Sequence, residues 1–410
     1  MSDAVRRSAI HGTSGGDEAP HDRSRLRVAI VALYPLDPAH MMGGMRVAVY
    51  NLVQAFAAFD DLDMHVLYCH AEVTRDHTER QGGVTVHFLA LPRRRLLPNY
   101  IRSLARIGEA LADIKPDVVN GHTCHFSIPG LRAGLPTVLT MHGVAHREAA
   151  IYNRTLYDRL RMGLSLIYDR YTLARVQDII AISPYVMREY EGRTRARWHR
   201  IDNPLPEDYF NLARNEQPGR IFFGGTITPL KDIMTLLRAM VIVRQAVPDV
   251  HLRIAGRTVD AAYERELLQF AAANLAGSVE FLGLLDTPAM LREYAACSLV
   301  VLPSRQEVLP MTVIEAMAAG IALVSTRAGG LGDLVEDGVT GILVDVGDDE
   351  RMAAAIIRLL QDSPTRRRMG EQGKQIARSR FRAASVAARY REVYREVAER
   401  PKSRPNADAR

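Results

Sequence analysis

Short apolar, β-branched runs separated by helix-length stretches constrain this chain more than any other feature. The first run is Leu26–Leu33 (LRVAIVAL). A run without polar alternation predicts a strand buried on both faces. After a loop containing Pro35, Pro38, Gly43 and Gly44, Val49, Leu52, Val53 and Phe56 recur at helical spacing, predicting a helix over Arg46–Phe59. Further strand-like runs are Met64–Tyr68, Val84–Ala90, Val118–Asn120, Thr137–Met141 and Asp178–Ile182. Repeated strand–helix alternation predicts a mostly parallel sheet with helices on both faces.

The pattern breaks at residues 203–219, where Pro204, Pro206, Pro218 and Gly219 stand among charges, and then restarts. Predicted strands are Arg220–Phe223, His251–Ala255, Val279–Leu282, Ser298–Leu302, Ala322–Ser325 and Gly341–Val344. Predicted helices run from Lys231 to Ala246, Ala261–Leu275, Pro288–Ala296 and Ile314–Ala319. A last amphipathic helix, Phe381–Glu399, presents Phe381, Val386, Tyr390, Val393 and Val397. The fold class is therefore α/β, with two doubly wound domains in one chain. We place a first domain at 25–205, completed by the helix 381–399, a linker at 206–219 and a second domain at 220–377. Two such domains make a cleft, and ligands bind beyond the carboxyl ends of the strands.

The chain is long enough for this, because 410 residues suit two or three domains and 47% are hydrophobic. That balance excludes a disordered chain, a collagen-like fibre and a small stapled scaffold. Three widely spaced cysteines, Cys69, Cys124 and Cys297, give no disulfide framework, which fits a cytoplasmic protein. No apolar run approaches the roughly 18–20 residues of a membrane span. Residues 1–24 lack a signal-peptide core and, like 400–410, read as a disordered tail. A net charge of +6, rich in arginine, favours anionic partners. No zinc-finger spacing or aromatic-glycine RNA motif points to nucleic acid.

Four places after strands carry chemistry. Gly43-Gly44 lets backbone approach a ligand at a helix N-terminus, although two glycines also suit a plain turn. No G-x-G-x-x-G or P-loop accompanies them. His142-Gly143 ends an apolar strand and points into the cleft. His142 and His146 have the i, i+4 spacing of a metal pair but no H-E-x-x-H, so no metal site is assigned. The loop Gly224–Lys231 (GGTITPLK) offers amides and a lysine to a phosphate. Finally, Glu307 lies in a loop, and Glu315 lies eight positions on, amid Val313, Ile314, Ala316, Met317 and Ala318. A carboxylate there is costly to bury unless it binds something, and it is a good acceptor for two sugar hydroxyls.

Glu307 and Glu315, with Gly329-Gly330 and Asp333 downstream, resemble glycosyltransferase family 4, whose members are retaining enzymes of the GT-B fold. The resemblance spans roughly residues 25–398. It includes Gly43-Gly44, His142-Gly143, Ile182-Ser183, Asn203-Pro204 with Phe210, Lys231, Ala255-Gly256, and Phe381 with Tyr394. It implies that Glu315 binds the nucleotide ribose and that Glu307 faces the transferred sugar. It implies that Lys231 holds the diphosphate, that His142 stands at the reacting face, and that Gly44 lies close to the phosphates. The N–H groups of Leu309, Met311 and Thr312 would bind donor oxygens, whereas Pro310 has none to give.

The family usually carries an arginine five positions before this lysine. Here that position is Thr226, which cannot neutralise a phosphate. Arg305 and Arg257 are the candidate substitutes, and Arg305 is the one expected to serve.

The resemblance implies a nucleoside-diphosphate sugar donor, no metal or other cofactor, and a glycan, lipid-linked or small-molecule acceptor, as in polysaccharide biosynthesis. Front-face attack, with the leaving phosphate helping to deprotonate the acceptor, is the implied route to retention. Asp61-Leu62-Asp63 mimics a metal-binding pair but stands at the amino end of a strand, so it reads as a turn. Arg93-Arg94-Arg95 precedes a basic helix with Tyr100, Ile101, Arg102, Leu104, Arg106 and Ile107, which could lie on anionic membrane at the inner face. The alternatives are a non-catalytic sugar-nucleotide binder, which Thr226 alone supports, and a sugar-nucleotide epimerase.

Overall fold

A computed structural model describes residues 25–91, 99–147 and 156–401. The tails at 1–24 and 402–410 and the Arg93–Arg95 run lie outside the described residues.

The first sheet contains β1 (Leu26–Val31), β2 (Leu62–His70), β3 (His77–Gln81), β4 (Val84–Ala90), β5 (Val118–Gly121), β6 (Thr137–Met141), β7 (Asp178–Ala181) and β8 (Arg197–Arg200). Its order is β3-β4-β2-β1-β5-β6-β7-β8, parallel throughout except β3 against β4. The second holds β9 (Arg220–Gly224), β10 (His251–Ala255), β11 (Val279–Gly283), β12 (Leu299–Leu302), β13 (Leu323–Thr326) and β14 (Gly341–Val344). Its order is β11-β10-β9-β12-β13-β14, all parallel. In each sheet the first strand pairs with its successor on one side and a later strand on the other. The chain therefore reverses its winding at β1/β5 and at β9/β12, and a crevice opens beyond the carboxyl ends at such points.

The apolar runs account for this layering. Successive side chains of a strand point to opposite faces. Val28 and Ile30 of β1 pack with Val49, Leu52, Val53 and Phe56 of the helix Gly44–Phe56. Ala29 and Val31 face the other way, against Ile107 and Leu111 of the helix Asn99–Ile114. β3 and β8 were not foreseen, because HTERQ and RWHR carry no apolar signature. Both lie at sheet edges, where polar strands are ordinary.

The helix Ala383–Glu399 returns to the first sheet and buries Val386, Tyr390, Val393, Tyr394 and Val397 there. It starts two residues later than expected. Phe381 is fully buried but ends the preceding helix, and its carbonyl accepts from the Leu205 N–H at 2.7 Å while Ala383 donates back to Leu205 at 2.9 Å. That exchange ties the returning chain to the crossing segment. Asp61 accepts from Arg391 and Arg395 at 2.9 and 2.7 Å, and Asp63 from Arg27 at 2.6 Å. The Asp61–Asp63 carboxylates therefore clamp structure at the amino end of the sheet, away from the crevice.

Candidate active site

A cavity of about 490 Å³ opens between the carboxyl ends of the two sheets, a size suited to a small-molecule ligand. Every site residue expected from the sequence lines it except Arg305: Gly43, Gly44 and His142 from the first domain, and Thr226, Lys231, Glu307, Leu309, Met311, Thr312 and Glu315 from the second.

The helix Met311–Ala318 begins three residues before its expected start, with Pro310 as N-cap. Its N-terminus confronts that of Gly44–Phe56, so close that a Cβ on Gly44 would stand 3.5 Å from Met311 Cγ. Two helix N-termini thus direct unpaired N–H groups and positive partial charge at one spot. Thr312 Oγ1 donates to the Gly224 carbonyl at 2.5 Å, tying this helix to the strand-end loop that carries Thr226.

Glu315 follows Met311 by one helical turn, which places its carboxylate on the same cavity face. It is 5% exposed. Tyr294 donates to it at 2.6 Å, and Tyr209 is its second phenol partner. Burial pushes its pKa up to about 7, against the lowering effect of the two phenols. Neither tyrosine was identified from the sequence. Tyr294 comes from another helix, Thr287–Ala296, and no spacing links it to Glu315; Tyr209 stands beside the quoted Phe210 in the domain crossing.

Glu307 is also buried, and its Oε1 accepts from Ser304 Oγ at 2.7 Å and from Lys231 Nζ. The glycines downstream explain how its loop is held. Gly330 donates to the Glu307 carbonyl at 2.9 Å. A side chain on Gly329 would collide with that carbonyl, and one on Gly330 with the carbonyl of Val308. Gly329 also adopts a φ of 55°, in the left-handed region that favours glycine.

Arg305 corrects the expectation made for it. Its backbone N–H donates to Leu230 at 2.8 Å and its guanidinium to Asp232 at 3.0 Å, so the side chain lies along the Pro229–Lys231 turn, half exposed. Arg257, the other candidate, lines the cavity.

His142 Nε2 lies 2.9 Å from His122 Nδ1. Burial pulls the His142 pKa down to about 4, so the ring is neutral near pH 7. His146 turns away to Glu189, at 2.9 Å. Among the described residues, no group of three or more His, Cys, Asp or Glu could hold a metal ion. The three cysteines are buried and form no disulfide. In the helix Asn99–Ile114, Leu104 and Ile107 face the core, and Arg106 is taken by Asp76 and Glu109. No described helix is long and apolar enough to cross a membrane.

Two Rossmann-like domains closing on a cavity between their strand ends define the GT-B architecture. Comparisons agree. Residues 42–209 match the model for Glycosyltransferase Family 4, and 206–376 that for Glycosyl transferases group 1. A D-inositol 3-phosphate glycosyltransferase of Thermobispora bispora is 33% identical, over 91% of this chain and 95% of its own. An uncharacterized glycosyltransferase of Methanocaldococcus jannaschii is 23% identical over 87% and 96%. Among solved structures, sucrose-phosphate synthase from Thermosynechococcus elongatus superposes with a TM-score of 0.76 at 20% identity, covering 91% of this chain and 99% of that one. Anabaena HepE, in complex with UDP-glucose, gives 0.70 at 18%, covering 91% and 100%. The chain belongs to glycosyltransferase family 4.

Proposed function

We propose that this glycosyltransferase moves a sugar from a nucleoside-diphosphate sugar to a hydroxyl acceptor with retention of anomeric configuration. The observation carrying this reading is the convergence of Glu315, Glu307 and Lys231 on the spot where two helix N-termini meet. Glu315 would accept the ribose hydroxyls and Glu307 a hydroxyl of the transferred sugar. Lys231 would be released from Glu307 to the diphosphate, with Arg257 supplying the second cation in place of the arginine that Thr226 replaces. These groups meet charge that grows as the bond between the sugar C1 and the phosphate oxygen breaks. The acceptor oxygen bonds C1 from the same face, and its proton passes to a leaving phosphate oxygen. Charge compensation by Lys231, Arg257 and the N–H groups of Leu309, Met311 and Thr312 makes a metal-free reaction part of the reading.

The uridine nucleotide in the HepE complex and the inositol phosphate named for the Thermobispora relative support a sugar nucleotide and a polyol-type acceptor. The reading extends to the cytoplasm and to peripheral contact with anionic membrane through the first domain, where Ile101, Leu166 and Ile167 are exposed apolar side chains. Co-sedimentation with anionic vesicles tests that contact, and its absence refutes it.

The decisive experiment offers UDP-, GDP- and ADP-sugars with polyol and glycan acceptors. It follows nucleotide release and reads the product's anomeric configuration by NMR. Release without metal and an α-linked product from an α-linked donor are expected. Tight binding without turnover would identify a non-catalytic binder instead, and an epimerised donor would identify an epimerase.

A further inference from the structure

His122, one residue beyond β5, was not singled out from the sequence. Its backbone N–H donates to Val31 at 3.0 Å, which fixes it at the winding reversal between β1 and β5. Its side chain is 1% exposed. Its ring is nearly coplanar with that of His142, with centroids 5.1 Å apart and planes at 20°, so the two imidazoles meet edge to edge. Tyr390 of the returning helix Ala383–Glu399 stacks nearly parallel to it, at 6.5 Å and 5°. Nδ1 meets His142 Nε2, whereas Nε2 is buried with no hydrogen-bond partner among the described residues.

Only two proton arrangements suit two neutral rings sharing one hydrogen bond. If His142 donated, the proton of His122 would sit on the buried Nε2 as an orphan N–H. An imidazole N–H lies in the ring plane, so it could not reach the face of a parallel Tyr390 ring. Orphaned buried donors are rarer and costlier than an unused lone pair. If His122 donates, its Nε2 keeps only a lone pair, and His142 carries its proton on Nδ1. His142 lines the cavity, and Nδ1 is the polar atom not committed to His122.

We propose that His122 is the positioning residue for His142: its Nδ1–H donates to His142 Nε2, fixing the His142 tautomer whose Nδ1–H serves the cavity as a hydrogen-bond donor to a substrate oxygen. The link to turnover rests on the reading that His142 stands at the reacting face; the tautomer does not.

Long-range proton–nitrogen correlation NMR on the full-length ¹⁵N-labelled protein reads the tautomer without substrate, using His142→Gln to identify the His142 signals. His142 protonated at Nδ1 is expected, and protonation at Nε2 overturns the proposal even if the glycosyltransferase reading stands. Kinetics give the second arm. Asn can place an amide N–H near the imidazole Nδ1 position, and Ala cannot. His122→Ala should lower kcat by up to about a hundredfold with little change in donor KM, and His122→Asn should restore most of it. Equal loss in both variants, or none in His122→Ala, overturns the positioning role.

Discussion

Lys231 and Glu307 hold each other, so neither stands free for the donor. A diphosphate must take Lys231 from its carboxylate, which concentrates the lysine's stabilising effect where phosphate charge develops. Lys231→Ala should therefore reduce kcat far more than it weakens nucleoside monophosphate binding, compared by steady-state kinetics and calorimetry. Arg257→Ala should follow the same pattern, whereas Arg305→Ala, which takes a half-exposed guanidinium from the buried Asp232 but leaves that carboxylate its Thr235 donor, should leave kcat within about twofold. The reverse order would restore Arg305 as the substitute cation. Glu315 makes a prediction about pH. Its pKa is raised to about 7 in the folded chain from an ordinary value of 4.5, so the folded state holds a proton that the unfolded state has released. Its contribution is fully present below about pH 4.5 and is lost as pH rises to 7, by roughly 3 kcal/mol. Buried histidines such as His142 work oppositely, so the test is a difference. Denaturant unfolding at pH 4.5 and 7.5 should show Glu315→Gln gaining on wild type as pH rises. An unchanged difference would mean that Glu315 titrates normally.

Among elements, Met311–Ala318 shows how strand-end loops become a site. Each of its residues is buried, so packing fixes its direction and leaves its N-terminus aimed at the facing helix. The Gly329-Gly330 turn then holds the Glu307 loop against it. Gly330 has an ordinary φ of −80°, so Gly330→Ala acts by collision with the Val308 carbonyl alone. It should destabilise by about 1–3 kcal/mol and lower kcat together, since Glu307 moves with its loop. Unfolding and kinetics on one preparation check this, and full activity would show that the loop yields without cost. This element was legible in the sequence because a glutamate inside an apolar octet has few explanations. The parallel strands were legible from their unbroken apolar runs. What stayed hidden depends on distance in the chain. Tyr294 reaches Glu315 and His122 reaches His142 only across separate elements, and edge strands β3 and β8 carry no apolar signal. Arg305 misled because neighbours in sequence need not share a direction. Its loop runs beside the Pro229–Lys231 turn, where Asp232 captures the guanidinium.

At the scale of the molecule, the cavity needs both domains, yet among the described residues few polar links join them beside it. Tyr185 accepts from Gln306 at 2.9 Å, and Arg188 donates to Asp333 at 2.8 Å. The first link is half-buried and the second largely exposed, so together they hold this side closed by about 1–2 kcal/mol. A preference that small lets the domains part for substrate entry, and a ligand touching both faces shifts it back. In the proposed reading the second domain supplies most contacts to the nucleotide, while His142 and the Gly44 helix end come from the first. Removing both links with Tyr185→Phe and Arg188→Ala should therefore leave nucleotide affinity within about twofold, while kcat/KM falls by roughly five- to thirtyfold, the equivalent of 1–2 kcal/mol. Small-angle scattering of the unliganded double variant should show a larger radius of gyration, and saturating donor should return it toward the wild-type value. An unchanged radius together with unchanged kcat/KM would show that the apolar contacts between the domains set their closure without these two links.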